Sequence, residues 1–366
     1  MQYLKDLETI CKINSYTQNK DGVDKVGSMM QQWMQNIGFE TTIYKRKMIG
    51  DHQLFTTPKI DGDKILLLGH NDTVFPKGTF ETFRSDEDWI YGAGVCDMKG
   101  GNIVALEALK NIYIKNKNIK NIDFLLVSDE ETGSDDSKYI TLELAKNYDY
   151  CFVFEAAGKN LEVVTSRKGV GTYTITINGC AAHAGTSYTN GINANLEASY
   201  KLQELTKLTN LDLGTTCNVG KIIGGIGANT ISPKCELLLE IRYKLNSEKL
   251  RLLDALEVIT NTSYVDGTKS TLDGLIQRDV MEENKDQFDF IKKLEKITNQ
   301  KILTEQRGGV SDANHVASCG VVTLDGFGPF GDGDHTINER ALKSSFEQRI
   351  LMMTDILVEH QKEYKF

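Results

Sequence analysis

The chain has 366 residues, 40% hydrophobic and 25% charged, which is enough apolar material for two or three packed domains. Asp and Glu number 51 against 42 Lys and Arg, a net charge of −9 with no basic block, so nucleic acid and anionic membrane are not expected partners. No apolar run approaches the ~18 residues that cross a bilayer, and the opening residues lack the apolar stretch of a signal peptide, so a cytoplasmic protein is expected.

In chain order, residues 3–13 and 24–37 carry helical apolar spacing, the second with Val26, Met29, Met30, Trp33 and Ile37 on one side. Residues 65–68, 124–127 and 151–154 are short runs apolar on both faces, as expected of central strands in a covered, largely parallel sheet. A helical pattern over 102–113 lies between the first two, a βαβ order. From about Gly171 the pattern changes. Tyr173, Ile175 and Ile177 alternate with threonines, and a helix (193–208), two strands (218–223 and 235–244), a helix (247–260) and a strand after Gly267 follow. That β-α-β-β-α-β order is the ferredoxin-like plan, with helices on one side of a sheet. Helices at 288–297 and 311–318, a strand at 321–324 and a last helix through Leu342, Phe346, Ile350, Met353 and Leu357 return to the first pattern. The expected architecture is therefore an α/β domain built from residues 1–168 and 281–366, with an α+β domain inserted at 169–280. The seven cysteines are scattered and include no C-x-x-C pair, so buried reduced thiols are expected.

The polar residues that matter stand where the apolar strands end. His70-Asn71-Asp72 closes the first run, Asp129-Glu130-Glu131 the second and Glu155 the third. Ligand sites of open α/β sheets lie beyond the carboxyl ends of the strands, so one imidazole and several carboxylates reach the same edge. Asp97 stands in a Gly-rich turn, Gly92 to Gly101, before the long helix, and His335 in a second, Gly331 to Thr336. Singly, each has a plain structural reading: a strand-end histidine is usually a hydrogen-bonded structural residue, and Asp129 to Asp136 would pass for a solvated acidic loop. Together they suit chemistry. Two histidines with several carboxylates and no thiolate partner match Zn²⁺, Co²⁺ or Mn²⁺. Glu130 and Glu131 beside Asp97 would repel one another unless cations compensate them. A two-metal site accounts for the excess charge, and a glutamate that binds no metal can take a proton from water. Asp72, two residues past His70, is placed to hold the other ring nitrogen.

These motifs, in this order over nearly the whole chain, resemble the co-catalytic dizinc peptidase family that includes carboxypeptidase G, aminoacylase, acetylornithine deacetylase and succinyl-diaminopimelate desuccinylase. The carboxypeptidase G branch is the nearest in motif. The resemblance implies that Asp97 bridges two metals, that His70 and Glu155 complete one set and Glu131 and His335 the other, and that Glu130 is the general base and acid. It also implies that the inserted domain is a lid that forms a homodimer contact. Ala181-Ala-His183-Ala-Gly resembles the lid motif whose histidine steadies the oxyanion in the partner's site, with Ala where Ser is commoner. Gly227-Ala-Asn229-Thr-Ile-Ser-Pro resembles a substrate-contacting segment, although Ser232 intervenes before Pro233. Arg242, on the polar face of its strand, and Arg307 resemble arginines that grip a substrate carboxylate. The plain alternative for either is a surface ion pair, and for His183 a structural strand end. His52, His315 and His360 are read as structural or surface residues.

The expected function is hydrolysis of an amide bond by two divalent ions, zinc first, releasing a C-terminal amino acid from a small peptide-like substrate. The resemblance pairs Glu at position 155 with carboxypeptidases and deacylases, which ranks aminopeptidase activity lower. An N-acyl-amino-acid deacylase is the alternative. A catalytically inactive peptide-binding relative would lack the base or a ligand, and here all six residues are present.

Overall fold

A computed structural model describes residues 2–366 and divides the chain into two compact units. One takes the residues up to Ser166 together with Glu283–Arg307 and Ser311–Phe366, and the other Arg167–Glu282 with Gly308–Val310.

The first unit is built on a six-stranded sheet in the order Glu40–Tyr44, His52–Thr56, Ile122–Val127, Ile65–His70, Tyr150–Val153, Val322–Leu324. The last four are parallel to one another, and the first two add on antiparallel. Ile65–His70 and Ile122–Val127 are buried along their whole length, because helices cover both faces and every residue must pack. Leu67, Phe124 and Phe152 enter the main core with Ile103, Leu106 and Leu109 of the helix Lys99–Asn116 and Phe346, Met353 and Leu357 of Lys343–Glu363. The outer strands Glu40–Tyr44 and His52–Thr56 and the helix Ser137–Ala145 carry no clear apolar period and are not anticipated by sequence pattern. His52 and Gln53 are polar yet buried in a strand, so the local signal points the wrong way.

The second unit is an antiparallel sheet in the order Thr216–Gly224, Lys234–Tyr243, Gly169–Asn178, Lys269–Arg278. Tyr173, Ile175, Ile177, Leu237, Leu239 and Ile241 pack against Ala194, Ala198 and Leu205 of Ala194–Thr206 and Leu252, Leu256 and Ile259 of Asn246–Asn261. The threonines of Gly169–Asn178 face the other way, as the period-2 pattern requires. This is the ferredoxin-like plan, with both helices on one face.

All seven cysteines are free, and five are buried. Cys180 is exposed and Cys319 partly so, a departure from the expectation for every thiol: Cys180 lies just past the end of Gly169–Asn178, beyond the packed face. His52, His315 and His360 are all buried. His52 accepts the Ser128 N–H at 3.1 Å, and His360 bonds the Asp63 carbonyl at 2.9 Å, so both are structural. No helix among the described residues is long and apolar enough to cross a membrane.

Candidate metal centre

Local sequence explains why the ligand-bearing segments converge. The helix Lys99–Asn116 begins hard against the end of a neighbouring strand, and only glycine allows it: a Cβ on Gly101 would lie 1.8 Å from the Phe154 carbonyl oxygen. Gly94 holds a left-handed φ of 81° in the turn that leads to Asp97, a conformation glycine adopts without strain. Asn102, buried in the first turn of that helix, donates to the His70 carbonyl at 2.7 Å.

The geometry centres on Asp97. Its Oδ1 lies 3.2 Å from Nε2 of His70, and its Oδ2 3.2 Å from Nε2 of His335. Glu155 approaches the same His70 nitrogen at 3.8 Å, and Glu131 the same His335 nitrogen at 3.2 Å. Two triads result, His70–Asp97–Glu155 and Asp97–Glu131–His335, each with its donor atoms within 4.8 Å of one another. The two oxygens of one carboxylate thus face two separate donor sets.

His70 is held by the segment that follows it. Its Nδ1 lies 3.0 Å from the Asp72 carbonyl, which can only accept, so Nδ1 carries a proton and Nε2, which faces Asp97, is the nitrogen a metal would take. The Asp72 carboxylate is fully buried, takes the Thr17 hydroxyl at 2.7 Å, and accepts the backbone N–H groups of Glu130 and Glu131 at 3.3 and 3.2 Å. One side chain therefore ties the first histidine to the acidic loop. Glu130 lies near enough for its charge to raise both Glu131 and Glu155.

The electrostatics are those of a cation site. Burial and then the Asp97 charge push Glu131 up to about 8, and the same two causes push Glu155 well above the usual carboxylate range. Burial would raise Asp97 too, but hydrogen bonds from His335 and His70 outweigh it and hold it well below that range. Hydrogen bonds to Asp97 and Glu131 raise His335 to about 11. Without cations the cluster must keep protons to limit its own repulsion, and divalent ions would relieve the same repulsion. The donors are nitrogen and oxygen only. The neighbouring Cys96 thiol is buried, which pushes it up, and it belongs to neither triad. The donor set fits two divalent ions of the zinc, cobalt or manganese kind.

The remaining sequence-derived residues belong elsewhere. In the second unit His183 is exposed, and its Nδ1 accepts the N–H groups of Gly185 and Thr186 at 3.1 and 3.2 Å, which leaves its proton on Nε2. Asn229 lies beside it, because the Ala184 N–H donates to the Asn229 carbonyl at 2.8 Å. Arg242 is paired with Glu240 of its own strand at 2.7 Å. Arg307, in the first unit, is paired with Glu305 at 2.6 Å and donates to the Ala156 carbonyl at 2.9 Å. Both arginines thus rest in the ion pairs that their plain reading anticipated. One residue was missed: Glu339 is fully buried, and its carboxylate accepts the N–H groups of Gly94, Cys96 and Asp97. Burial pushes it up to about 8, against those three hydrogen bonds. Nothing in the local run Ile337-Asn338-Glu339-Arg340 separates it from a polar loop.

Two triads that share Asp97, set at the end of a largely parallel sheet, define the class, a protein with a donor set for two metal ions. Residues 66–359 match the model of peptidase family M20/M25/M40. The chain belongs to that family, a family of hydrolases acting on amide bonds. It is 31% identical to carboxypeptidase G2 of Pseudomonas sp. (strain RS-16) over 255 residues, 67% of this chain and 60% of the relative. It is 29% identical to acetylornithine deacetylase of Aliivibrio salmonicida (strain LFI1238) over 261 residues, 66% of this chain and 67% of the relative. The match to carboxypeptidase G2 spans 60% of that protein's length. A tripeptidase structure from Staphylococcus aureus superposes with a TM-score of 0.80 at 22% identity, covering 98% of each chain, a likeness of fold.

Proposed function

We propose that the protein is a two-metal amide hydrolase, zinc first among the ions, that releases a C-terminal amino acid from a small peptide-like substrate. The observation that carries the reading is the Asp97 carboxylate, with each oxygen 3.2 Å from a different histidine Nε2 and one further carboxylate completing each triad. His70, Asp97 and Glu155 would hold one ion, and Asp97, Glu131 and His335 the other. When bound, such a pair polarises the scissile carbonyl and acidifies water. Glu130 takes the proton of the attacking water and returns it to the leaving amine. Asp72 keeps His70 in the tautomer that presents Nε2. His183, whose proton sits on Nε2, donates to the oxyanion across a homodimer formed by the inserted domain, here assigned to 169–280, with residues 1–168 and 281–366 catalytic. Arg242 and Arg307 each grip a substrate carboxylate once it displaces Glu240 or Glu305, and Asn229 contacts the substrate. The likeness to carboxypeptidase G2 supports release of a C-terminal residue.

The likeness to acetylornithine deacetylase favours a second reading, removal of an N-acyl group in the cytoplasm from a small amino acid. A mass-spectrometric screen of the zinc-loaded protein separates the two. Dipeptides, amides ending in acidic residues, and N-acetyl and N-succinyl amino acids would be offered, with a chelator-treated control. Release of C-terminal residues supports the first reading, release of acetate or succinate the second. Absence of any chelator-sensitive turnover sinks both.

A further inference from the structure

We propose that Glu339 is a positioning residue that sets the bridging geometry of Asp97, binding the loop that carries Asp97 to the loop that carries His335. The inference rests on the two-metal reading above and adds a residue which that reading does not use. Glu339 is fully buried at the start of the short strand Arg340–Leu342. Its Oε2 accepts the Gly94 N–H at 2.9 Å, and its Oε1 the N–H groups of Cys96 and Asp97 at 2.9 and 3.0 Å. Its own backbone is tied to the second histidine loop, because its N–H donates to the Thr336 carbonyl at 3.1 Å, one residue from His335. Its carbonyl accepts the Gly92 N–H at 3.4 Å.

One carboxylate therefore satisfies three of the backbone donors of a turn that has no other regular structure. It takes the Asp97 backbone N–H, while the two side-chain oxygens of Asp97 face His70 and His335. The turn is tied to the following helix by the Gly100 N–H, which donates to the Gly94 carbonyl at 2.9 Å, and Glu339 adds the bond to the Asp97 N–H itself. A bridging ligand tolerates little rotation, since each oxygen would serve a different ion. Groups that orient metal ligands contribute roughly 10- to 100-fold to metal affinity. A carboxylate suits the task, because it offers acceptors only. A glutamine of the same shape would present an NH₂ to at least one of the three N–H groups, leaving that donor buried and unpaired.

Glu339→Gln and Glu339→Asp would be compared with the parent chain after circular dichroism has established matched folding. Zinc titration with a competing chelator, and the visible spectrum of the cobalt-loaded protein, report the site without turnover. Expected are a loss of roughly 10- to 100-fold in affinity and an altered cobalt spectrum in Glu339→Gln, with partial rescue in Glu339→Asp. Parental affinity and spectrum in a folded Glu339→Gln would overturn the role. Hydrogen exchange of residues 92–98 in the metal-free parent chain provides a second reading should the variants not fold. Slow exchange of the Gly94, Cys96 and Asp97 amides is expected, and exchange at free-loop rates overturns the proposal. A parent chain that binds fewer than two ions defeats the two-metal reading itself, whatever the variants do.

Discussion

The Nδ1 of His70 lies 3.0 Å from the carbonyl of Asp72 and 3.3 Å from its carboxylate, so one residue addresses the ring through both backbone and side chain. The same carboxylate holds the N–H groups of Glu130 and Glu131, so the first histidine and the acidic loop share a single buried anchor. Asp72→Ala should therefore weaken zinc binding by roughly 10- to 100-fold. Titration against a competing chelator measures this. An unchanged affinity would show that the backbone carbonyl alone suffices.

Glu130 belongs to neither triad. Glu130→Ala should lower kcat by about 10²- to 10⁴-fold, the range for a general base, with two ions still bound per chain. Elemental analysis alongside kinetics tests both halves. Loss of an ion would make Glu130 a ligand instead.

Gly101→Ala separates local propensity from packing. In a helix interior alanine is favoured over glycine by about 1 kcal/mol, so propensity alone predicts a gain. A Cβ 1.8 Å from the Phe154 carbonyl oxygen predicts a loss of roughly 1–3 kcal/mol, because strand and helix must move apart next to Glu155. Urea unfolding gives the sign, with Gly309→Ala, where a Cβ meets nothing within 4 Å, as the control.

Acid stability should depend on Asp51. Burial would raise its carboxyl, but hydrogen bonds from Lys20, Lys45 and the Arg46 N–H outweigh it and bring it down to about 2 from an ordinary 3.8. A carboxylate depressed in the folded state stabilises above its unfolded value, and that contribution is lost as pH falls from about 3.8 toward 2. The urea midpoint of the metal-free protein should fall across this window, and fall less steeply in Asp51→Asn. Parallel curves would remove Asp51 from the account.

The apolar periods, and the residues that interrupt them, are readable from the amino-acid order. Three strands that are apolar on both faces had to be interior, and the polar residues that close them had to share an edge. His70, Asp72, Glu130, Glu131 and Glu155 are therefore legible in the pattern alone. The alternation of Tyr173, Ile175 and Ile177 likewise specifies a one-faced sheet, because a pleat places neighbours on opposite sides. How these pieces meet is a matter of tertiary packing. Glu339 and Asp97 are 242 residues apart, and no local period couples them. The split of the Asp97 oxygens between two histidines, the Asp72 anchor and the pairing of Arg307 with Glu305 depend on side-chain directions set by packing. Period reports which face a residue takes, whereas the few ångströms that make a donor set come from contacts between distant segments.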